Sequence, residues 1–360
     1  MSRRLRLAVL LSALAACGEA PQRCPACEAG LPADATRPLE SRPGGDRGET
    51  APPARPLAGV AFWAYQIVGL DRAGAVDQLA ASRYDLLVVD PTRTDKSLTS
   101  FDGKGMVSRL HATQGKSGRA RLVLAYVDLG EAEQWRTYWQ SSWVKPTASQ
   151  RGDPDFLITT DPDGWSGNYP VAYWDPRWRS IIIDGPGSVL QQVLDDGYDG
   201  IYLDWIEAYQ NVKVAAAAKA AGKDAAAEMV AFVAALRAQA RARRPDFLVV
   251  PQNAPELAAQ RPEYVALLDG FVQEQIYFDG KADLAWTDPA ACDLRRSDSA
   301  ATEAKLRVLQ SAGVPVLNVE YACAPANVAE AYSRSTKNGT VAYVTRRPLD
   351  RLSSTPPPGY

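Results

Sequence analysis

Eight short β-rich runs separated by helical segments constrain this chain before any single residue is considered. The runs fall at 59–63, 84–90, 121–128, 199–204, 247–252, 270–275, 314–320 and 340–345. Alternation of this kind is the pattern of parallel βα units. Several runs, such as LLVVD and FLVVPQN, are continuously apolar, as expected of parallel strands covered on both faces. The segment AAAEMVAFVAALRAQARARRP carries the complementary helical period. Met229, Phe232, Val233 and Leu236 share one stripe, Arg241, Arg243 and Arg244 lie in the last turn where cations suit the helix dipole, and Pro245 ends it. A doubly wound open sheet uses the same units, but it brings a glycine-rich phosphate turn after its first strand, and WAYQIVGLDRAG offers only Gly69 and Gly74. The expected fold is therefore α/β, a (β/α)8 TIM barrel over residues 58–347, with 348–360 as a C-terminal tail.

The residues before the barrel read differently. Arg3, Arg4 and Arg6, the apolar run Leu7 to Leu14 and the small residues that follow have the form of an export signal over residues 1–16. That run is too short to span a membrane. Leu14-Ala15-Ala16-Cys17 resembles a bacterial lipobox, in which Cys17 becomes the lipid-modified N-terminus; cleavage nearby as an ordinary secreted protein is the alternative. The lipidated form would be anchored to the bacterial cell envelope, at the outer membrane. Residues 17–57 are rich in Pro, Gly, Ala and Arg and poor in large apolar side chains, the composition of a flexible linker. Cys24 and Cys27 fall inside it, where an exported chain closes a CxxC as a small disulfide.

Composition narrows the partners. With 40 basic and 42 acidic side chains and no basic face, nucleic acid is not expected as a partner. Removing residues 1–16 takes away three arginines and no acid, so the formal charge moves from −2 to −5. The mature chain is expected to be a mildly acidic monomer.

In a barrel the functional site lies at the C-terminal ends of the strands. Those ends carry Tyr65 and Gln66, Asp90, Asp128 with Glu131, Asp204 with Trp205, Gln252 and Asn253, Glu274, Gln275 and Tyr277, then Asn318 and Glu320. Structural caps would favour Ser, Thr, Asp and Asn, whereas Glu, Gln and Trp are poor caps, so the set reads as functional. A single histidine, His111, in a surface helix excludes both a Ser-His-Asp triad and a His-based zinc site. An all-oxygen Mg²⁺ or Ca²⁺ site would require Asp128, Asp204, Glu274 and Glu320 to converge; no metal or cofactor is otherwise implied. Paired carboxylates alone suit cleavage at an acetal carbon, one protonating the leaving oxygen while the other attacks or activates water. Seven of nine tryptophans, Trp135, Trp139, Trp143, Trp165, Trp174, Trp178 and Trp205, crowd the third and fourth βα connections. They read equally as sugar-stacking platforms or as a small core beneath a long insertion, the latter accounting for Trp139 and Trp143 at helical spacing.

The segments VLAYVDLGEAEQWRTYW, NYPVAYWDPRW, DGIYLDWIEAY, PQNAPEL and VLNVEY, in that order, resemble glycoside hydrolase family 114, the endo-α-1,4-polygalactosaminidase-like barrels. AYVDLGEAE is nearer the bacterial and archaeal branch of that family than the fungal enzymes. The resemblance implies a (β/α)8 fold, retaining cleavage of an α-linked amino-sugar polysaccharide, and an acidic pair at the ends of the fourth and sixth strands, which are Asp204 as nucleophile and Glu274 as acid/base here. Tyr65, Asp90, Asp128, Glu131, Trp174, Trp205, Gln252, Asn253, Tyr277, Asn318 and Glu320 are the expected substrate contacts. A non-catalytic carbohydrate-binding lipoprotein on the same scaffold is the alternative. Cys292 and Cys323 follow the sixth and seventh strands, where adjacent loops emerge side by side, and are expected to form a disulfide in an exported protein.

Overall fold

The structure, a computed structural model, describes residues 55–360. The expected signal segment, most of the linker, Cys17, Cys24 and Cys27 lie outside the described residues. Eight strands form the barrel: β1 (Trp63–Gln66), β2 (Leu86–Val89), β3 (Leu122–Asp128), β4 (Gly200–Asp204), β5 (Leu248–Pro251), β6 (Phe271–Glu274), β7 (Val316–Tyr321) and β8 (Val341–Thr345). β1 to β5 pair in parallel in sequence order, as do β6 to β8. At the seam between β5 and β6, Gln252 bridges Val272, whose carbonyl accepts from the Asn253 N–H at 2.9 Å. At the other seam, Trp63 Nε1 donates to the Val341 carbonyl at 2.8 Å and its ring lies 5.8 Å from that of Tyr343.

A principal helix follows each of the first seven strands: α1 (Ala75–Ala81), α2 (Gly103–His111), α3 (Val189–Asp196), α4 (Ala225–Arg243), α5 (Glu256–Gln260), α6 (Ser299–Ser311) and α7 (Pro325–Lys337). Local chemistry starts several of them. The Asp102, Ser188 and Asp224 side chains accept from Gly105, Gln191 and Ala227 N–H, satisfying donors that a helix start leaves free. In α4 the buried stripe is Met229, Phe232, Val233 and Leu236, the set its periodicity predicts.

Most strand bounds move by one or two residues from the sequence reading, and the largest shift is at the first strand. The first strand begins at Trp63 rather than 59, because Pro56–Gly59 forms a 3₁₀ turn and Asp85 Oδ2 takes the Ala61 and Phe62 N–H groups at 3.0 and 3.1 Å. Tyr65 and Gln66 therefore lie within β1. Leu57, counted as linker by its neighbours' composition, is buried. The segment after β8 forms no helix; the Leu349 carbonyl accepts from Ile67 and Val68 N–H, and the Tyr360 ring packs 4.8 Å from Tyr84 and 5.5 Å from Phe62. His111 is satisfied in packing: its Nε2 lies 2.7 Å from Asp199 Oδ2 at the N-terminal end of β4.

The third connection is the largest insertion. Glu131–Glu133 pairs antiparallel with Asn168–Pro170. Beneath this ribbon Trp139, Trp143, Tyr169, Phe156, Tyr138 and Trp178 form a chain of aromatic contacts at 5.1 to 6.5 Å, and Trp178 Nε1 donates to the Leu129 carbonyl at 3.0 Å. Three of the seven clustered tryptophans, Trp139, Trp143 and Trp178, thus belong to a secondary core.

On the same side of the barrel, Cys292 and Cys323 are joined, with Cα atoms 6.0 Å apart and 31 residues of separation. The bridge ties the loop after β6 to the start of α7. Closing a loop of that length stabilises a folded chain by roughly 3–4 kcal/mol in the chain-entropy model. Cys292→Ser/Cys323→Ser should lower the free energy of unfolding by that amount in a denaturant titration. A loss below about 1 kcal/mol would show that Asp293, which accepts from Cys323 N–H and Asn327 Nδ2, holds the loops unaided.

Candidate active site

Side chains on a strand alternate between its faces, so residues two apart point the same way. Tyr126 and Tyr202, neighbours in register on β3 and β4, point into the barrel with Tyr65, their rings 5.0 to 6.4 Å apart. Two residues further on, Asp128 and Asp204 are again in register, at the open end. The tyrosine layer acts as a floor of donors. Tyr126 OH donates to Asp204 Oδ2 at 2.7 Å, and Tyr202 OH donates to Gln252 Oε1, whose Nε2 donates to Asp204 Oδ1. The Trp205 N–H adds a third donor to that carboxylate at 2.7 Å.

Glu274 is held by a parallel device. Tyr321 OH donates to its Oε1, and Asn253 Nδ2 donates to its Oε2 at 3.1 Å. The same Nδ2 donates to Glu207 Oε1 at 3.1 Å, while Asn253 Oδ1 accepts from Gln273 Nε2 and Glu274 N–H. With its oxygen committed to two donors, the amide can only point its NH₂ at the two acids. Adjacent residues of the β5 end thus hold both carboxylates, Gln252 on Asp204 and Asn253 on Glu274.

The backbone bends sharply to achieve this. Trp205, Asn253 and Gln275, just beyond the ends of β4, β5 and β6, have φ of 55°, 60° and 56°. Left-handed conformations cost non-glycine residues free energy and persist where packing over-determines them, which is common at functional sites. Gly130 shows how tight the packing is: a Cβ there would sit 2.3 Å from the Trp205 carbonyl oxygen.

Burial and neighbouring charge raise two of these acids. Burial raises the Glu274 carboxyl above its usual range, Arg347 pulls it back, and the charge of Asp204 raises it again. Burial followed by the charges of Asp204 and Glu274 pushes Glu207 well above its usual range, and its Oε2 has no partner. Arg347 pairs with Asp279 at 3.2 Å and lies over the Tyr321 and Trp165 rings at 4.9 and 5.5 Å. Burial opposes the Arg347 charge, but Tyr321, Glu274 and Asp279 outweigh that and keep it a cation.

Beside Asp204 lies a second acidic group. The Glu131 N–H donates to Asp128 Oδ1 at 2.8 Å, and Asn168 Nδ2 donates to Glu131 Oε2 at 3.1 Å. Burial, then the charges of Glu131 and Asp204 at Asp128 and of Asp161 and Asp204 at Glu131, pushes both carboxyls well above the usual range.

Several expected substrate contacts serve the scaffold instead. Asp90 is buried in an ion triad, 2.7 Å from Arg136, which also grips Glu133 at 2.6 Å. Glu320, fully buried, accepts from the Ile276, Tyr277 and Phe278 N–H groups and from Asn318 Nδ2, anchoring the loop after β6. Burial outweighs those four donors and pushes Glu320 up to about 7. Asn318 bonds Ser335 and Thr340 as well as Glu320. Tyr277 faces outward: Asn338 donates to its hydroxyl at 2.8 Å, Arg334 stacks on its ring at 4.1 Å, and it lines a 270 Å³ cavity together with residues of α6 and α7. Trp174 packs edge-on against Tyr173, whose hydroxyl bonds the Ala225 carbonyl of α4. Glu320 therefore does not join Asp128, Asp204 and Glu274, and among the described residues the only three potential ligands with atoms within 4.8 Å of one another are Cys292, Asp293 and Cys323, whose thiols are joined.

Sequence reading passed over Glu207 and Asn168, and also over four residues whose positions carry a signal. Tyr126, Tyr202 and Tyr321 could have been found by stepping in twos along each strand. Arg347 could have been found by reading past the end of β8 as the other strand ends were read.

Comparison with known proteins adds an independent line. Residues 46–357 match glycoside-hydrolase family GH114. An uncharacterized protein of Deinococcus radiodurans is 34% identical over 345 residues, 96% of each chain, and one of Thermotoga maritima is 26% identical over 80% of this chain and 81% of that one. Among solved structures, the glycoside hydrolase domain of PelA from Pseudomonas aeruginosa superposes with a TM-score of 0.56 at 15% identity, covering 82% of this chain and 98% of that domain. Ega3 of Aspergillus fumigatus, solved in complex with galactosamine, superposes with a TM-score of 0.53 at 17% identity, covering 85% of this chain and 98% of the other. At such identities the likeness to the solved structures is one of fold.

Removing one partner of a buried ion group strands the other's charge, which costs roughly 3–5 kcal/mol. Asp90→Ala should therefore lower unfolding free energy by that amount while the folded variant keeps its affinity for oligosaccharide. A loss of affinity with unchanged stability would return Asp90 to the cleft.

Proposed function

Because the chain belongs to glycoside-hydrolase family GH114, we propose that it hydrolyses an α-linked, amino-sugar-containing polysaccharide of the polygalactosamine type by a retaining mechanism in which Asp204 and Glu274 act as a pair. The observation that carries this reading is the shared frame of the two acids: they end β4 and β6, and Gln252 and Asn253 of the intervening strand end hold one each.

Their environments suit different roles. Asp204 accepts three hydrogen bonds from fixed donors, the setting of an oriented anion that can attack the anomeric carbon. Glu274, raised by burial, is suited to keep a proton and deliver it to the glycosidic oxygen as the carbon–oxygen bond breaks. The sugar would then be held on Asp204 as an ester, and the Glu274 carboxylate would take a proton from the water that attacks that ester. The Tyr65 ring and the backbone turn at Trp205 border the same end of the barrel. A carboxylate-rich cleft in a chain of formal charge −2 favours a cationic polymer over an anionic one.

A reducing-end assay on galactosamine-rich exopolysaccharide tests the activity, and NMR of the first-formed anomer tests retention. Asp204→Asn and Glu274→Gln should each lower turnover by at least about 10²-fold with thermal stability nearly unchanged. Since the acid must be protonated, wild-type kcat should fall as pH rises through the elevated Glu274 pKa, and that alkaline limb should vanish in the residual activity of Glu274→Gln. Wild-type rates in either variant would reject the pair; binding without any cleavage by the wild type would favour the carbohydrate-binding alternative.

We also propose export and attachment through a lipidated Cys17. A single acyl chain holds a protein only marginally, so firm anchoring requires the several chains of a lipoprotein N-terminus. Cys17→Ala should move the protein from the membrane to the soluble fraction; unchanged partitioning would reject the anchor.

A further inference from the structure

Away from the cleft, a cavity of 270 Å³ lies where the chain after β6 meets α6 and α7. Asn318 and Glu320, two apart on β7, share one face of that strand, and Asn318 bonds Ser335 of α7, so this is the helix side of the sheet. Glu320 takes the Ile276, Tyr277 and Phe278 N–H groups and holds the segment there, where Tyr277 reaches the helices. The cavity is smaller than the pockets of about 300–1,000 Å³ that take drug-sized ligands, which limits an occupant to roughly one ring.

The charges on its wall do not cancel. Glu303 is the one acid among the lining residues and is already paired with Arg334 at 3.2 Å, whereas Arg307 and Lys337 on the same wall form no ion pair among the described residues. A chain of formal charge −2 thus keeps two uncommitted cations beside one void. Neutral groups complete the lining. Asn338 Nδ2 donates to the Tyr277 hydroxyl at 2.8 Å, and the proton of that hydroxyl finds no acceptor among the described residues. Burial pushes the Tyr277 pKa up to about 12, so the group stays a donor. Gln310 Nε2 donates to the Asn338 carbonyl at 2.7 Å, while the side-chain oxygens of Gln310 and Asn338 receive no donor among the described residues. Ile276 and Leu306 add an apolar patch.

These groups together describe their occupant. A guanidinium grips a carboxylate in a planar fork and an ammonium adds a point charge. Hydroxyls both donate and accept, so a polyhydroxylated ring satisfies the Tyr277 donor and the two amide oxygens at once, with its C–H face on the apolar patch. We propose that the cavity between α6 and α7 binds a hexuronate, its carboxylate on Arg307 and Lys337 and its hydroxyls on Tyr277, Gln310 and Asn338. This site goes beyond the catalytic reading and does not depend on it: neither proposed catalytic acid lines it, and it takes an anion where the cleft favours a cation.

The test is calorimetric, on full-length protein, with galacturonate, galactose and inorganic phosphate as probes. Galacturonate should bind at one site, at least about tenfold tighter than either of the others. Arg307→Gln/Lys337→Gln, at two exposed positions, should bring galacturonate down to the affinity of galactose without moving the melting temperature. Tyr277→Phe should weaken galacturonate and galactose alike, by about fivefold. Three results would each overturn the assignment: no saturable binding at about 10 mM galacturonate, an affinity unchanged in the double variant, or phosphate bound as tightly as galacturonate. The last would reduce the cavity to a simple anion site. None of them bears on the catalytic pair, which is read from turnover of a different ligand.

Discussion

Like charges at the open end of this barrel must be held against their own repulsion, and much of the site follows from how that is done. Asp128, Glu131, Asp204, Glu207 and Glu274 gather around a few strand ends, and Arg347 is the cation that acts on Glu274 most strongly. Asp204 is held by neutral donors, and Glu274 by neutral donors together with Arg347. Tyrosines from the layer below reach up to Asp204 and Glu274, and the Gln252 and Asn253 amides divide their N–H groups among Asp204, Glu207 and Glu274. Neutral donors orient a carboxylate without cancelling its charge.

This arrangement needs rigid support, and two buried ionic devices supply it away from the cleft. Arg136 clamps Asp90 to Glu133 and thereby fixes the ribbon that carries Glu131. Glu320 collects three consecutive backbone N–H groups and pins the chain directly after Glu274. The disulfide secures the far side of the same loop. Two of these acids were read from sequence as substrate contacts. Their position at strand ends is right for both roles, and only the direction of the side chain distinguishes them.

The third and sixth connections touch each other, and Arg347 beyond β8 meets the third. The Ser166 N–H donates to Asp283 Oδ2 at 3.1 Å, and Arg347 lies between Trp165 and Tyr321. The aromatic core under the third connection makes that insertion a small structure in its own right, which is why an accumulation of tryptophans there is weaker support for sugar stacking than its position suggests.

The amino-acid sequence alone determined the barrel, because eight apolar runs with helical segments between them are a local, periodic signal. It also determined which strand ends carry acids, since register within a strand follows from counting. It left open what each acid does. Asp90 and Asp128 end neighbouring strands and look alike in one dimension, yet one meets a buried guanidinium and the other a backbone N–H and the charges of Glu131 and Asp204. Glu207 and Arg347 enter the site through a left-handed turn at Trp205 and through the chain beyond β8, neither of which has a periodic signature. Those assignments depend on which groups 40 to 280 residues away come within 3 Å, as Arg136 does for Asp90 and Val341 for Trp63. Only the closed barrel brings such groups together, so the tertiary structure alone decided them.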